Sequence, residues 1–238
     1  MSIFSRTGLW ATALTLASLP LFSPLAQAAD YGGIALGATR VIYPQGSEQI
    51  SLSVNNTDGQ GVFLIQSWVE NADSKKSSDF VVTPPLFVIK PKKENTLRVM
   101  YIGQDASLPK DRESLYWMNV KAIPAATKES QNKNTLQIAV LNRIKLFVRP
   151  KGLNMPPADA PAKLRFHQTG SQLTIKNPTP YYVTLVELTE GSAALPATMV
   201  PPLGQSSLVV PSTAHGDISF QTVNDYGANT PKQHAVMD

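Results

Sequence analysis

The chain has 238 residues with 42% hydrophobic content, 19 Pro, 14 Gly and no Cys. That length allows one large domain or two ordinary ones, and the absence of Cys excludes disulfides and a thiol nucleophile. Lys and Arg number 21 against 17 Asp and Glu, a mild, dispersed excess without the clustered stripe of a nucleic-acid binder.

Residues 1–28 read as a secretory signal peptide. Arg6 forms a short positive region, Leu9–Leu19 is apolar, Pro20 and Pro24 break the run, and Ala26-Gln27-Ala28 fits the A-x-A cleavage pattern. The run is too short to span a bilayer comfortably. The mature chain is therefore expected to start near Ala29 and to be exported without membrane insertion. The periplasm of a double-membrane bacterium fits such a protein.

The first mature segment, Ile34–Pro44, alternates loosely and stops at Pro44, as suits an edge strand. Gln49–Asn55 alternates cleanly, and Asn56-Thr57-Asp58-Gly59 is a turn signal. Val62–Glu70 is apolar and reads as a strand buried on both sides. Further strands are expected at Phe80–Val82, Leu86–Ile89, Thr96–Ile102 and Ser114–Ile123, with polar loops between them. About seven strands without a helical pattern match an immunoglobulin-like sandwich.

Asn134–Pro150, NTLQIAVLNRIKLFVRP, carries no Gly, and no Pro until its last residue. Leu136, Ile138 and Val140 alternate with polar or small residues, and Ile144, Leu146 and Val148 resume the same parity. One strand over this stretch would span roughly 50 Å, far beyond the common five or six residues. It is either a central sandwich strand with its charges at a wet end, or a strand whose apolar row is meant for another protein's core. Residues 151–163, with three prolines, read as a linker or stiff crossing loop. A second strand series follows at Leu164–His167, Gln172–Lys176, Tyr182–Leu188, Ser207–Val210, Ile218–Val223 and His234–Val236. The expected organisation is an N-terminal domain over 29–150, a linker over 151–163 and a C-terminal domain over 164–238.

No G-x-S-x-G elbow is present, and His167, His215 and His234 lie in scattered contexts without ligand spacing. Asp111-Arg112-Glu113 reads better as a solvated charge cluster than as an acid–base pair. No catalytic residue, metal ligand or cofactor is indicated. Arg40, Glu113, Lys145, Arg149 and Asp225 are charges in unusual places, and buried charges require partners.

GATRVIYP at 37–44, TPPLF at 83–87, DRESLYWMNVKAIP at 111–124, RIKLFVRP at 143–150, NPTPYY at 177–182 and NDYGA at 224–228 resemble the periplasmic pilus chaperones of the chaperone/usher pathway, in the type 1 pilus branch. The resemblance runs from about Gly33 to the end. It implies two immunoglobulin-like β-sandwich domains in an L-shaped, boomerang arrangement. It also implies a non-enzymatic role that folds and caps pilin subunits, and the tip adhesin, for delivery to the outer-membrane usher. No nucleotide is used. In that family the long strand is lent to a pilin whose own sandwich lacks a strand. Leu136, Ile138, Val140 and Ile144 would then fill the pilin groove.

Two cleft cations map onto Arg40 and Lys145 and would anchor the pilin's C-terminal carboxylate, in a free cleft expected to be open to water. Strict parity puts Lys145 opposite Ile138, so a bulge or twist is expected near Asn142. An inter-domain ion set maps onto Glu113, Arg149 and Asp225. An usher-facing patch is expected to include Leu64, Thr83 and Phe87. The short loop Pro124–Asn134 and the missing Cys pair place the chain outside the long-loop branch. The competing reading is a secreted two-domain adhesin or pilin-like structural protein. A pilin would carry its donor strand at the N-terminus, whereas here the long alternating strand is internal.

Overall fold

A computed structural model describes residues 32–126 and 136–238. The signal peptide, most of the loop before the long strand, and Asn134 and Thr135 lie outside the described residues.

Among the described residues the first half contains nine strands: β1 (Ile34–Leu36), β2 (Arg40–Pro44), β3 (Ile50–Asn56), β4 (Phe63–Asn71), β5 (Phe80–Thr83), β6 (Leu86–Ile89), β7 (Glu94–Tyr101), β8 (Ser114–Pro124) and β9 (Val140–Arg149). They form two sheets, ordered β1-β3-β7-β5 and β2-β9-β8-β4-β6. Alternating apolar residues face inward from both, and Leu52, Val54, Ile65, Leu97, Met118, Val120, Leu146 and Val148 make the dry core between them. The segment expected as one edge strand is two, each at the edge of a different sheet. The chain switches sheets at Gly37, where a Cβ would meet Ser53 Oγ at 2.1 Å. The β4 segment is buried on one face rather than both: Ile65, Ser67 and Val69 point inward while Gln66 is exposed.

The second half contains β10 (Arg165–Thr169), β11 (Gln172–Asn177), β12 (Val183–Glu190), β13 (Ala193–Ala194), β14 (Thr198–Val200), β15 (Gly204–Val209), β16 (Ile218–Thr222) and β17 (Gln233–His234). Its sheets are β10-β11-β15 and β13-β12-β16-β17, with β14 paired to β12. Leu164, Phe166, Leu173, Ile175, Leu185 and Phe220 lie in a second core. The short strands β13 and β14 carry too few residues to show a period. The proline-rich stretch makes two single 3₁₀ turns, Pro157–Asp159 and Pro161–Lys163. Ala160 is buried in the second core, with Leu153 and Met155 packed against it.

The strand expected over Asn134–Pro150 begins at Val140. Its last pairing with β8 is Ala122–Val140, and β2, which runs parallel to it, pairs only from Lys145 to Arg149. Leu136–Ala139 therefore have no neighbouring strand among the described residues, and Val140–Ile144 have one on a single side. The register with β8 runs unbroken from Ser114–Val148 to Ala122–Val140, so there is no bulge near Asn142. Neighbours on both sides pin the register over Lys145–Arg149, and a slip would turn the buried row outward. Ile144, Leu146 and Val148 face the core, while Arg143, Lys145, Phe147 and Arg149 share the opposite face.

Candidate functional site

The parallel pairing of β2 with β9 sets Arg40 directly beside Lys145. Both side chains reach across to the second domain. Arg40 Nη1 donates to the Val223 carbonyl at 2.8 Å, and Lys145 Nζ donates to Thr184 Oγ1 at 2.8 Å. Arg40 is only 9% exposed, so the expectation of a water-open cleft fails for this cation. The second domain covers it. Its Nε has no hydrogen-bond partner among the described residues, and it lines a cavity of about 390 Å³. Burial pulls the Arg40 pKa down, with Asp225 and Glu113 opposing. Burial, with a smaller contribution from Arg40, lowers the Lys145 pKa to about 8.

Glu113, Arg149 and Asp225 come together as a connected set. Arg149 Nε donates to Glu113 Oε1 at 2.8 Å, and Nη1 and Nη2 donate to the two Asp225 oxygens at 2.7 and 2.8 Å. Glu113 has a side chain 1% exposed. Its second oxygen accepts the Tyr182 N–H at 2.8 Å, and its own N–H donates to the Pro180 carbonyl. Burial pushes the Glu113 carboxyl upward, while Arg149 and the Tyr182 N–H pull it down. Burial works against the Arg149 charge, but bonds to Asp225 and Glu113 more than offset it and raise its pKa. A guanidinium suits this place because its planar fork serves two carboxylates at once.

Two loops of the second domain present these partners. In Asn177–Tyr182 the buried Asn177 amide donates to the Tyr181 and Pro201 carbonyls, and its oxygen accepts from Thr179 N–H and Oγ1. That fixes Tyr182, whose ring stacks on Phe147 with centroids 5.3 Å apart, and Tyr181, whose ring lies 5.0 Å from the Arg149 guanidinium carbon. In Asn224–Ala228 the Asn224 side chain accepts the N–H groups of Tyr226 and Ala228. Gly227 adopts φ +85° to close the turn, and Asp225 is left facing Arg149.

The expected pilin-facing residues are dissimilar in exposure. Leu136, Ile138 and Val140 are 85%, 67% and 55% exposed, whereas Ile144 packs against the first core. For the expected usher patch, Leu64 pairs with Val88 on the outer face of its sheet, and Phe87 pairs with Ile65 and packs inward. Thr83 is exposed on β5, in the other sheet. On the outer face of β4, β8 and β9, Arg143 lies 4.0 Å over the Trp117 ring and 3.3 Å from Glu70. Among the described residues no three His, Cys, Asp or Glu side chains gather as metal ligands, and no helix is long and apolar enough to cross a membrane.

Sequence reasoning did not single out Thr184, Phe147, Tyr181, Tyr182 or Asn177. The tyrosines and Asn177 lie inside a quoted motif, NPTPYY, but nothing in the pattern says that a Tyr N–H will serve a glutamate 69 positions away. Thr184 carries no local signal, because a Thr in a strand is ordinary.

Two family models cover most of the chain: "Pili and flagellar-assembly chaperone, PapD N-terminal domain" over residues 33–154 and "Pili assembly chaperone PapD, C-terminal domain" over 159–234. The chaperone protein FimC of Escherichia coli K12 is 54% identical over 206 residues, covering 87% of this chain and 85% of FimC. FocC of E. coli is 49% identical over 230 residues, covering 96% and 99%. The crystal structure of the periplasmic chaperone SfaE is 50% identical, with a TM-score of 0.76 over 86% of this chain and 100% of SfaE. A Salmonella enterica structure of the SafB chaperone in complex with SafA pilin matches with a TM-score of 0.78 and 34% identity, over 88% of this chain and 98% of that one. With both domain models matched in order and relatives at half identity along the chain, this protein belongs to the PapD-like pilus-assembly chaperones.

Proposed function

We propose that this chaperone works in the periplasm and caps pilin subunits, the tip adhesin among them, by lending them Leu136–Ile144, before passing them to the outer-membrane usher. The observation that carries this reading is the open edge of β9. Among the described residues Val140–Ile144 have a strand on one side only, and Leu136, Ile138 and Val140 are exposed apolar residues at alternate positions. An apolar, unblocked sheet edge is ordinarily avoided, because it recruits another chain. A partner that adds a strand there gains main-chain hydrogen bonds and can receive the alternate side chains in pockets. SafB, a relative described with its pilin bound, supports a pilin as that partner.

Arg40 and Lys145 sit side by side on the same sheet as this edge, and their unused donors suit a carboxylate. Along β9, Val140 and Lys145 point to opposite faces, and Arg40 on β2 shares the face of Lys145, so the row can enter a groove while the cations hold the pilin's last residue. Glu113, Arg149 and Asp225 fix the second domain behind them.

The experiment is co-expression of this chain with a pilin, comparing wild type with Ile138→Asp. A carboxylate in a desolvated groove costs several kcal/mol. Pilin recovery on the chaperone is expected to collapse while the free chaperone melts as wild type. Undiminished recovery would refute strand lending by this row.

A further inference from the structure

We propose that Thr184, on the second domain, is a positioning residue for the carboxylate anchor, so that the anchor is built by both domains rather than by the first alone. This rests on the reading of Arg40 and Lys145 as that anchor. A lysine side chain is flexible, and a half-buried ammonium gains by swinging toward water. Lys145 does not do so, because Thr184 Oγ1 accepts from its Nζ at 2.8 Å. An ammonium has three N–H donors, so this bond holds the group while leaving two for an incoming carboxylate.

Arg40 is held in the same way. Its Nη1 donates to the Val223 carbonyl, and its Nε stays unused. The two acceptors are tied to each other, since the Val223 N–H donates to the Thr184 carbonyl at 3.1 Å. A single point on the second domain, where the end of β16 meets β12, therefore grips both cations and holds them side by side against their mutual repulsion. That arrangement supplies a ligand with two pre-placed donors, and pre-placement lowers the ordering cost of binding. The lowered pKa of Lys145 agrees with this confinement, since burial and the neighbouring Arg40 both disfavour its charge.

The test uses the full mature chain and a synthetic pilin C-terminal peptide made with a free carboxylate and with an amide end. The quantity read is the ratio of the two affinities, for wild type, Thr184→Val and Thr184→Ser, alongside the melting temperature of each protein. Valine keeps the shape and the backbone bond to Val223 but removes the hydroxyl; serine restores it. The expected result is a strong free-end preference in wild type, a loss of at least fivefold in that preference in Thr184→Val, and recovery in Thr184→Ser. If Thr184→Val keeps the wild-type ratio, or weakens both peptides equally, Thr184 has at most a structural role and the proposal is overturned. If wild type itself does not prefer the free end, the anchor reading is wrong, and the Thr184 assignment falls with it.

Discussion

Arg149 and Asp225 meet through two parallel hydrogen bonds of 2.7 and 2.8 Å, joining the last residue of β9 to a turn 76 positions later. The same guanidinium holds the buried Glu113 through Nε. One side chain thus ties a strand of the first domain to a loop of the second, with a carboxylate on either side.

Arg149→Ala should therefore destabilise the protein by about 3–5 kcal/mol, because it leaves Glu113 buried without its charge partner. Arg149→Lys should restore only part of the loss, since an ammonium cannot serve both carboxylates in a planar fork. Denaturant unfolding measures the first effect. Solution scattering should show a broader distribution of domain angles in Arg149→Ala, and profiles and stability equal to wild type would rule out the coupling.

Gly227 lies where the Asp225 turn touches the first domain. Its φ is +85°, and a Cβ there would stand 2.2 Å from Thr39 Oγ1. Gly227→Ala should cost about 1–3 kcal/mol in backbone strain, with a further loss from the displaced turn. Combined with Asp225→Asn it should add less than the two effects taken separately, because both act on one contact. Strict additivity in melting experiments would place the two residues in independent roles.

Arg40→Ala and Lys145→Ala should each weaken pilin binding by about 2–5 kcal/mol, roughly thirty- to several-thousand-fold. They should differ in the free protein. Arg40 is buried and bonds the second domain, so its alanine variant should melt lower than wild type. Lys145→Ala should melt at or above wild type, because it removes a charge held at a cost in a half-buried site. Calorimetry on the free proteins and pull-down of a pilin check the two halves separately.

The Lys145 pKa of about 8 also sets a pH signature. Below pH 8 the ammonium is charged before and after a carboxylate binds, so affinity should be flat. Above pH 8 binding must take up a proton, and affinity should fall by up to about tenfold per pH unit. The free protein should move the other way. The ordinary lysine value is 10.5, so between about pH 8 and 10.5 the unfolded chain binds more protons and the folded state gains stability as pH rises. Lys145→Arg should flatten both trends in this window. An affinity profile unchanged from pH 7 to 9.5 would remove Lys145 from the carboxylate site.

Most strands were legible from alternation and turn signals, because a sheet with one buried face writes its period of two into the residue order. The alternation of Leu136, Ile138 and Val140 also stood in the residue order, and the charges that follow it marked the stretch as unusual. The end of β9 at Val140 was not legible. Its pairing with β8 ends at Ala122–Val140, although β8 itself runs on to Pro124, and where a pairing ends is a property of the sheet rather than of one stretch. The absence of a bulge at Asn142 was likewise decided by pairing, since the unbroken register with β8 leaves no room for an extra residue. The charges Arg40, Glu113, Lys145, Arg149 and Asp225 could be found in the sequence as oddities and through the motifs around them. Their acceptors could not. Val223 contributes a carbonyl, Tyr182 an N–H and Thr184 a common hydroxyl, and none of these is specified by residue type. Only the packing of the second domain against the outer face of β9 brings them within 3 Å of the charges they serve, and that packing also decides that Arg40 is covered while Ile138 stays exposed.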